Sequence, residues 1–415
     1  MNKLSLLAAG LLATHSVQAI SLKECLRMAR DNYPAVKQYR MIEQTRDFTL
    51  ENAAKGWMPH VSASAGVYAF TDILKSNAQM KQTGIDMKNY MANASVTVRQ
   101  NVYDGGQISA NRNVASAQAE VQRQQLNVTV YAINERVQQI YFAILLLDEQ
   151  IVQNELHQRD FLVSEKNIRS MMKGGVANQS DLDAILVEKL RLEQQKDALA
   201  ASREAYVRML GIFIGKDLKR DEKLEKPESP DTVSGKNYGT NRPEMLYFSS
   251  QNLLLDAQRK QFNARLRPTV SLFGMGLIHS KVSGMVDNGG IAGGLSLSWN
   301  VGALYTRKND IRKLDVQRQM NDNERDVFLF NNRLQNEAEN GQIASLRRQI
   351  SHDDEIIRLR ESIRTKGDRK VEMGTESVNE LVIDINAVNL AKAQKAQHEI
   401  QLLMEMYKLK NINNE

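Results

Sequence analysis

Four stretches of this chain alternate apolar and polar residues with a period of two. After Pro59 comes "HVSASAGVYAF", with Val61, Ala63, Ala65, Val67 and Ala69 on one face and Ser62, Ser64 and Gly66 on the other. "YMANASVTVRQNVY" sets Ala92, Ala94, Val96 and Val98 against Asn93, Ser95, Thr97 and Arg99. "PTVSLFGMGLIH" and "IAGGLSLSWNV" repeat the arrangement, with Leu295, Leu297 and Trp299 opposite Ser296, Ser298 and Asn300. Such alternation predicts strands of about ten residues, each with an apolar and a polar face.

Elsewhere the period is helical. Val130, Ile133, Val137, Ile140, Ile144, Leu147 and Ile151 alternate spacings of three and four, a coiled-coil seam. Ile343, Leu346, Ile350 and Ile357 show the same seam in pieces. The six prolines all fall at Pro34, Pro59, Pro227, Pro230, Pro243 and Pro268, leaving long stretches where a helix meets no interruption. Long helices are therefore predicted over residues 107–171 and 304–370, about 97 and about 100 Å at 1.5 Å per residue. "MMKGGVANQS" and "KVEMGTES" supply glycines that can end a helix and Asn178, Ser180, Thr375 or Ser377 that can cap the next. Return helices follow over 180–210 and 377–410. Shorter helices over 34–55 and 243–265 begin at prolines, where the missing N–H costs nothing.

One half repeats the other. Asn32-Tyr33-Pro34 matches Asn241-Arg242-Pro243, and Pro59 matches Pro268, at an offset of 209 (243 minus 34; 268 minus 59). Asn101 matches Asn300, Val102 matches Val301, Gly175 matches Gly374 and Leu182 matches Leu381, at 199 (374 minus 175). The ten-residue change locates a loop of different length between residues 60 and 100. The predicted organisation is an export signal over 1–19, a helix-strand-strand-helix repeat over 20–210, an equatorial linker over 211–241, a second repeat over 242–410 and a tail over 411–415.

The signal reading rests on Lys3, the apolar run that follows, and Val17-Gln18-Ala19 as a cleavage site. Cys25 is the only cysteine and Leu22-Lys23-Glu24 before it lacks the small residues of a lipid-attachment signal. No other window has eighteen apolar residues, so the chain does not cross a membrane as helices. A net charge of +6 spread over 25% charged residues, with no basic cluster interleaved with aromatics, gives no nucleic-acid surface. The six histidines are scattered without metal-ligand spacing, "SHDDE" from Ser351 to Glu355 reads as a solvated helical face, and "FGMGLIHS" lies inside a strand pattern. Neither an enzyme nor a cofactor is implied.

Ten residues is the length at which a tilted strand crosses the hydrocarbon layer with one lipid face and one water face, although a soluble sandwich would alternate similarly. The only two tryptophans, Trp57 and Trp299, lie at the helix-proximal ends of strands beside Tyr103, with Phe70 and Tyr90 at the opposite ends. Two aromatic girdles are the economical reading, and core packing is the alternative. Arg99, on a polar strand face, is expected to point into the lumen. Unpaired strand edges facing lipid cost several kcal/mol per group, so the sheet must close. Four strands make no open barrel. Three chains give twelve, and a dimer of eight leaves little lumen.

The chain resembles the TolC-like outer membrane efflux proteins: a signal, two halves of helix-strand-strand-helix, "QNVYDGG" at the strand-to-helix junction and "MGTESVNELVID" at a hairpin tip. The second junction, "WNVGALYTRKN", lacks the Asp-Gly-Gly, and the linker is long and charged. The resemblance covers nearly the whole mature chain. It implies a homotrimeric, passive duct in the lipid bilayer of a Gram-negative outer membrane, with a twelve-stranded barrel continuous with a periplasmic coiled-coil tunnel. It also implies a periplasmic adaptor and an inner-membrane pump of RND, ABC or MFS type, serving efflux or type I secretion.

In that family acidic side chains narrow the periplasmic tip. Glu380 occupies the matching position and Asp384 lies one turn on. The repeat offset places Asp181 opposite Glu380, with Asp183 nearby, although the helix dipole alone favours acids in a first turn. Gly174, Gly175 and Gly374 at the tips both end helices and offer a small-residue surface for an adaptor. The rival from another class is a secreted, non-conducting coiled-coil stalk or adhesin, which predicts neither paired strands between helices nor tryptophans at one level.

Overall fold

The computed structural model describes residues 19–69, 90–230, 238–281 and 286–414. Residues 1–18 of the expected export signal and Phe70 lie outside the described residues, as does the side chain of Tyr90.

Elements follow the predicted order, with one addition. A helix α1 (Leu22–Asn32) precedes the turn at Pro34–Val36, capped by Ser21 and Glu24 and burying Leu22, Cys25 and Ala29. Next come α2 (Lys37–Ala54), β1 (His60–Ala69), β2 (Tyr90–Tyr103), α3 (Gln107–Tyr131) and α4 (Ile133–Lys173). Ala132, between α3 and α4, keeps right-handed helical angles (φ −60°, ψ −19°), so the predicted long helix is only nominally divided. Then follow α5 (Gln179–Ile214), α6 (Pro243–Arg265), β3 (Thr269–Lys281), β4 (Val286–Ser298), α7 (Ala303–Glu372) and α8 (Val378–Asn413). α5 runs past its predicted end because Gly211 stays helical: a Cβ there would lie 2.7 Å from the Lys216 carbonyl oxygen, so the glycine serves a close approach and Gly215 makes the stop.

Two compact units combine pieces of both halves. One contains the segment up to Val36, Asn127–Pro243 and Val327–Glu415; the other contains Lys37–Leu126 and Glu244–Asp326. In the first, Ile133, Val137, Ile140 and Ile144 of the expected α4 seam are buried, whereas Val130, Leu147 and Ile151 are half-buried. The seam packs with Leu22 and Cys25 of α1, Leu210 and Ile214 of α5, and Ile400 and Leu403 of α8. Each such side chain contributes roughly 1.5–3 kcal/mol through burial. Burial raises the Cys25 thiol pKa to about 12, which leaves it unreactive. The linker is anchored to this core: Tyr141 donates to the carbonyls of Ile20 and Glu225, and Arg203 holds the carbonyls of Arg220 and Glu222.

The second unit carries one antiparallel sheet of order β1-β2-β3-β4. Its registers place Val61, Val98, Leu272 and Leu295 on one face with Val67, Val96, Ile278, Ile291 and Leu297; these are exposed, Ile291 by 95%. Ser62, Ser64, Ser95, Thr97 and Arg99 lie on the other. β1 and β4 each have only one strand neighbour among the described residues. Beside the sheet, α6 meets α7 through polar bonds: Asn321 Nδ2 donates to the Phe248 carbonyl and Asn252 Oδ1, both at 2.9 Å, and Arg318 pairs with Asp256 at 2.5 Å. No helix is long and apolar enough to cross a membrane among the described residues.

Candidate functional site

Both long hairpins turn by the same device. At the end of α4 the Val176 N–H donates to Met171 (3.0 Å) and the Gly175 N–H to Met172 (3.2 Å). At the end of α7 the Thr375 N–H donates to Lys370 and the Gly374 N–H to Val371, both at 2.9 Å. These are paired Schellman closures, with Gly175 at φ +71° and Gly374 at φ +70°, a left-handed conformation that side chains disfavour. Gly174 keeps φ −87° and is a cap without that need. The two tips lie together: a Cβ on Gly374 would sit 3.9 Å from a methyl of Val176.

The return helices start with matched capping boxes. Asn178 caps α5 and Asp181 accepts from the Asn178 N–H at 2.9 Å; Ser377 caps α8 and Glu380 accepts from the Ser377 N–H at 3.0 Å. Asp181 and Glu380 are thus each employed at their own helix start, where the dipole also favours a negative charge. Asp183 is exposed and accepts from Gln179. Asp384 is half-buried, with Oδ2 3.0 Å from where Gly367 would carry a Cβ. Asp368 lies nearby; burial foremost raises its carboxyl pKa, with Glu372, Asp160 and Asp384 adding to the rise against the pull of Arg364.

Inspection of the sequence missed the group that ties α4 to α7. Arg364 grips Asp160 with two bonds (3.0 and 3.2 Å), and Asn389 of α8 donates to the same carboxylate at 3.0 Å. The partners are 204 residues apart and no local pattern links them. Missed too was a line of polar residues between α7 and α8. Asp353 is buried and meets His398 Nδ1 at 2.7 Å, which corrects the reading of residues 351–355 as wholly solvated. Glu339 accepts from Lys408 at 2.6 Å, and Glu405 lies against both. Burial, then a hydrogen bond and charge repulsion from Glu339, push the Glu405 carboxyl up to about 7 despite Lys408. Heptad spacing of Glu339 and Leu346 with Asp353, and of His398 with Glu405, was the available signal.

In the sheet unit three of the expected interface aromatics lie at one end. Trp57 precedes β1, Tyr103 closes β2 and Trp299 follows β4; all are exposed, and Trp299 Nε1 donates to the Leu266 carbonyl at 2.9 Å. The junction from β2 into α3 is fixed by Asp104, which accepts from Gly106 (2.8 Å) and Ile108 (2.6 Å). The corresponding junction has Asn300 accepting from Ala303 at 3.3 Å, a looser cap. Among the described residues no group of three His, Cys, Asp or Glu side chains could hold a metal.

Solved structures superpose on this chain over most of its length and most of theirs. The structure of CusC, described with its transmembrane channel formation, superposes with a TM-score of 0.69 at 12% identity, covering 94% of this chain and 91% of that one. The outer membrane channel MtrE of Neisseria gonorrhoeae, in its open state, gives 0.65 at 11% identity over 94% and 88%. The outer membrane protein VceC of Vibrio cholerae gives 0.64 at 11% over 94% of each chain. The chain has the TolC-like outer membrane channel fold. The likeness takes in both units. No protein-family model and no curated protein matches the sequence.

Proposed function

We propose that the chain is one protomer of a passive exit duct in the outer membrane of a Gram-negative bacterium. One observation carries this reading: a four-stranded sheet with an exposed aliphatic face, a polar face and two edges that have no strand neighbour among the described residues. Only further copies can close such a sheet in lipid, and three copies make a twelve-stranded barrel wide enough to conduct. Trp57, Tyr103 and Trp299 then stand at one membrane interface. The apolar residues exposed on α7, among them Val316, Met320, Val327, Phe330 and Leu334, supply the faces that neighbouring copies would cover.

The helical unit forms the periplasmic tunnel. Gly174, Gly175 and Gly374 at the tips dock a periplasmic adaptor, which links the duct to an inner-membrane pump supplying the energy. Glu380 and Asp384, with Asp181 and Asp183, form the acidic constriction, where three copies of each carboxylate concentrate cations and repel anions. The duct is expected as heat-resistant trimers in the outer membrane fraction that open channels in planar bilayers. A soluble, non-conducting protein would overturn the proposal in favour of a structural stalk.

A further inference from the structure

The polar face of the sheet is divided lengthwise. On it the first hairpin presents mainly small or polar side chains, His60, Ser62, Ser64, Asn93, Ser95, Thr97 and Arg99, with Tyr68 at the far end of β1, but β3 presents Phe273, Met275 and Leu277 in succession, each half-buried. At the repeat offset of 209 the matching positions in β1 hold Ser64, Gly66 and Tyr68 (273 minus 64; 275 minus 66; 277 minus 68). β4 makes room for the large side chains. Facing Phe273, Met275 and Leu277 across the β3–β4 ladder are Gly294, Ala292 and Gly290. The Phe273 ring lies against Gly294, 3.5 Å from where a Cβ would stand.

Lipid does not account for this line, because the aliphatic face is the opposite one. Nor does a core, since none of the three residues belongs to a buried cluster. Arg99 stands directly across from Phe273 in the β2–β3 register. Its side chain is exposed and has no ion-pair partner among the described residues, and no Asp or Glu with a described side chain lies on the sheet. An unpaired cation at the head of an apolar strip is complementary to one chemistry: a small molecule with an acidic group at one end and an apolar body. From Phe273 to Leu277 the strip runs about 14 Å at the strand rise, long enough for a medium-length acyl chain to lie along it.

We infer that the strip is a transit site for amphipathic anions on the barrel's inner wall. Arg99 holds the acidic head, and Phe273, Met275 and Leu277 take the body. This rests on the duct reading, which puts the face toward the lumen in three copies. Specificity comes from pairing both features: a simple anion gains nothing from the strip, and an amphipathic cation is repelled by Arg99.

The test is blockade of single-channel current through purified trimers in planar bilayers. The probes are laurate below its micelle-forming concentration, acetate as the head group alone, and dodecyltrimethylammonium as the charge-reversed amphiphile. Laurate is expected to block where acetate does not, and more strongly than the cation. Phe273→Ser and Met275→Ser should each raise the half-blocking laurate concentration about tenfold. Arg99→Gln should abolish the preference for laurate over the cation. If Phe273→Ser fails to assemble as a heat-resistant trimer, the Met275→Ser and Arg99→Gln arms decide. Normal channels whose laurate block is unchanged in these variants, or matched by the cation in the unmodified protein, overturn the site and leave the duct standing. No channel at all overturns both.

Discussion

Glu380 does two things that a substitution can separate. Its carboxylate accepts from the N–H and the hydroxyl of Ser377, at 3.0 and 3.1 Å, and so closes the capping box of α8. Glutamine at this helical position closes the same box without the charge. Glu380→Gln combined with Asp384→Asn is therefore expected to change single-channel conductance and cation block while the protein stays folded. Unaltered conduction in the double variant would assign both acids to capping and packing alone. At this scale the caps were legible: Asn178 and Ser377 stood among the residues expected to cap, and their acidic partners follow at fixed spacing. Asp160 with Arg364 was not, because a pair formed by two long helices from different repeats leaves no trace in either local sequence. Arg99 was legible as a residue of the polar strand face, but Phe273 beside it was not, since cross-strand neighbours appear only once the register is known.

At the scale of elements, period and proline spacing gave the long helices and all four strands, since an uninterrupted pattern is its own signal. α1 was missed because eleven residues between an expected leader and a proline offer few turns to count. The polar line between α7 and α8 was hidden for a different reason: its members look like ordinary surface charges until the facing helix buries them. That seam titrates. Burial and Glu339 hold the Glu405 carboxyl protonated to about 7, against an ordinary value of 4.5, with Lys408 opposing the shift. Glu135 also bears electrostatically on Lys408. Between these two pH values the folded chain keeps a proton that the unfolded chain gives up. The stabilisation is thus complete below about 4.5 and is lost as pH rises through about 7. Glu405→Gln removes the titration. Its unfolding free energy in guanidinium titrations should match that of the unmodified protein near pH 4 and exceed it near pH 8, by on the order of 2 kcal/mol. A gain of equal size at both pH values would show that Glu405 acts by packing rather than by its charge.

For the molecule as a whole the decisive question is what covers the aliphatic face of the sheet. Ile291 sits near the middle of β4, pairs with Gly276 and is 95% exposed, so no part of the described protomer shields it. In a soluble stalk a charge there would be harmless, since water already bathes the position. In a membrane barrel Ile291 faces hydrocarbon, and arginine near the bilayer midplane costs about 2–4 kcal/mol. Thr97 provides the control: it lies in β2 on the other face, opposite Met275, where a lumen would solvate a long cationic side chain. Ile291→Arg is therefore expected to deplete assembled trimers from the outer membrane fraction several-fold, whereas Thr97→Arg leaves assembly intact and shifts the channel toward anions. Equal tolerance of both substitutions would mean that neither face meets lipid. The sheet would then need another partner for its edges, and closure by three copies would lose its physical basis. Loss of assembly with Thr97→Arg alone would reverse the two faces and place Phe273 and Arg99 on the outside of the barrel.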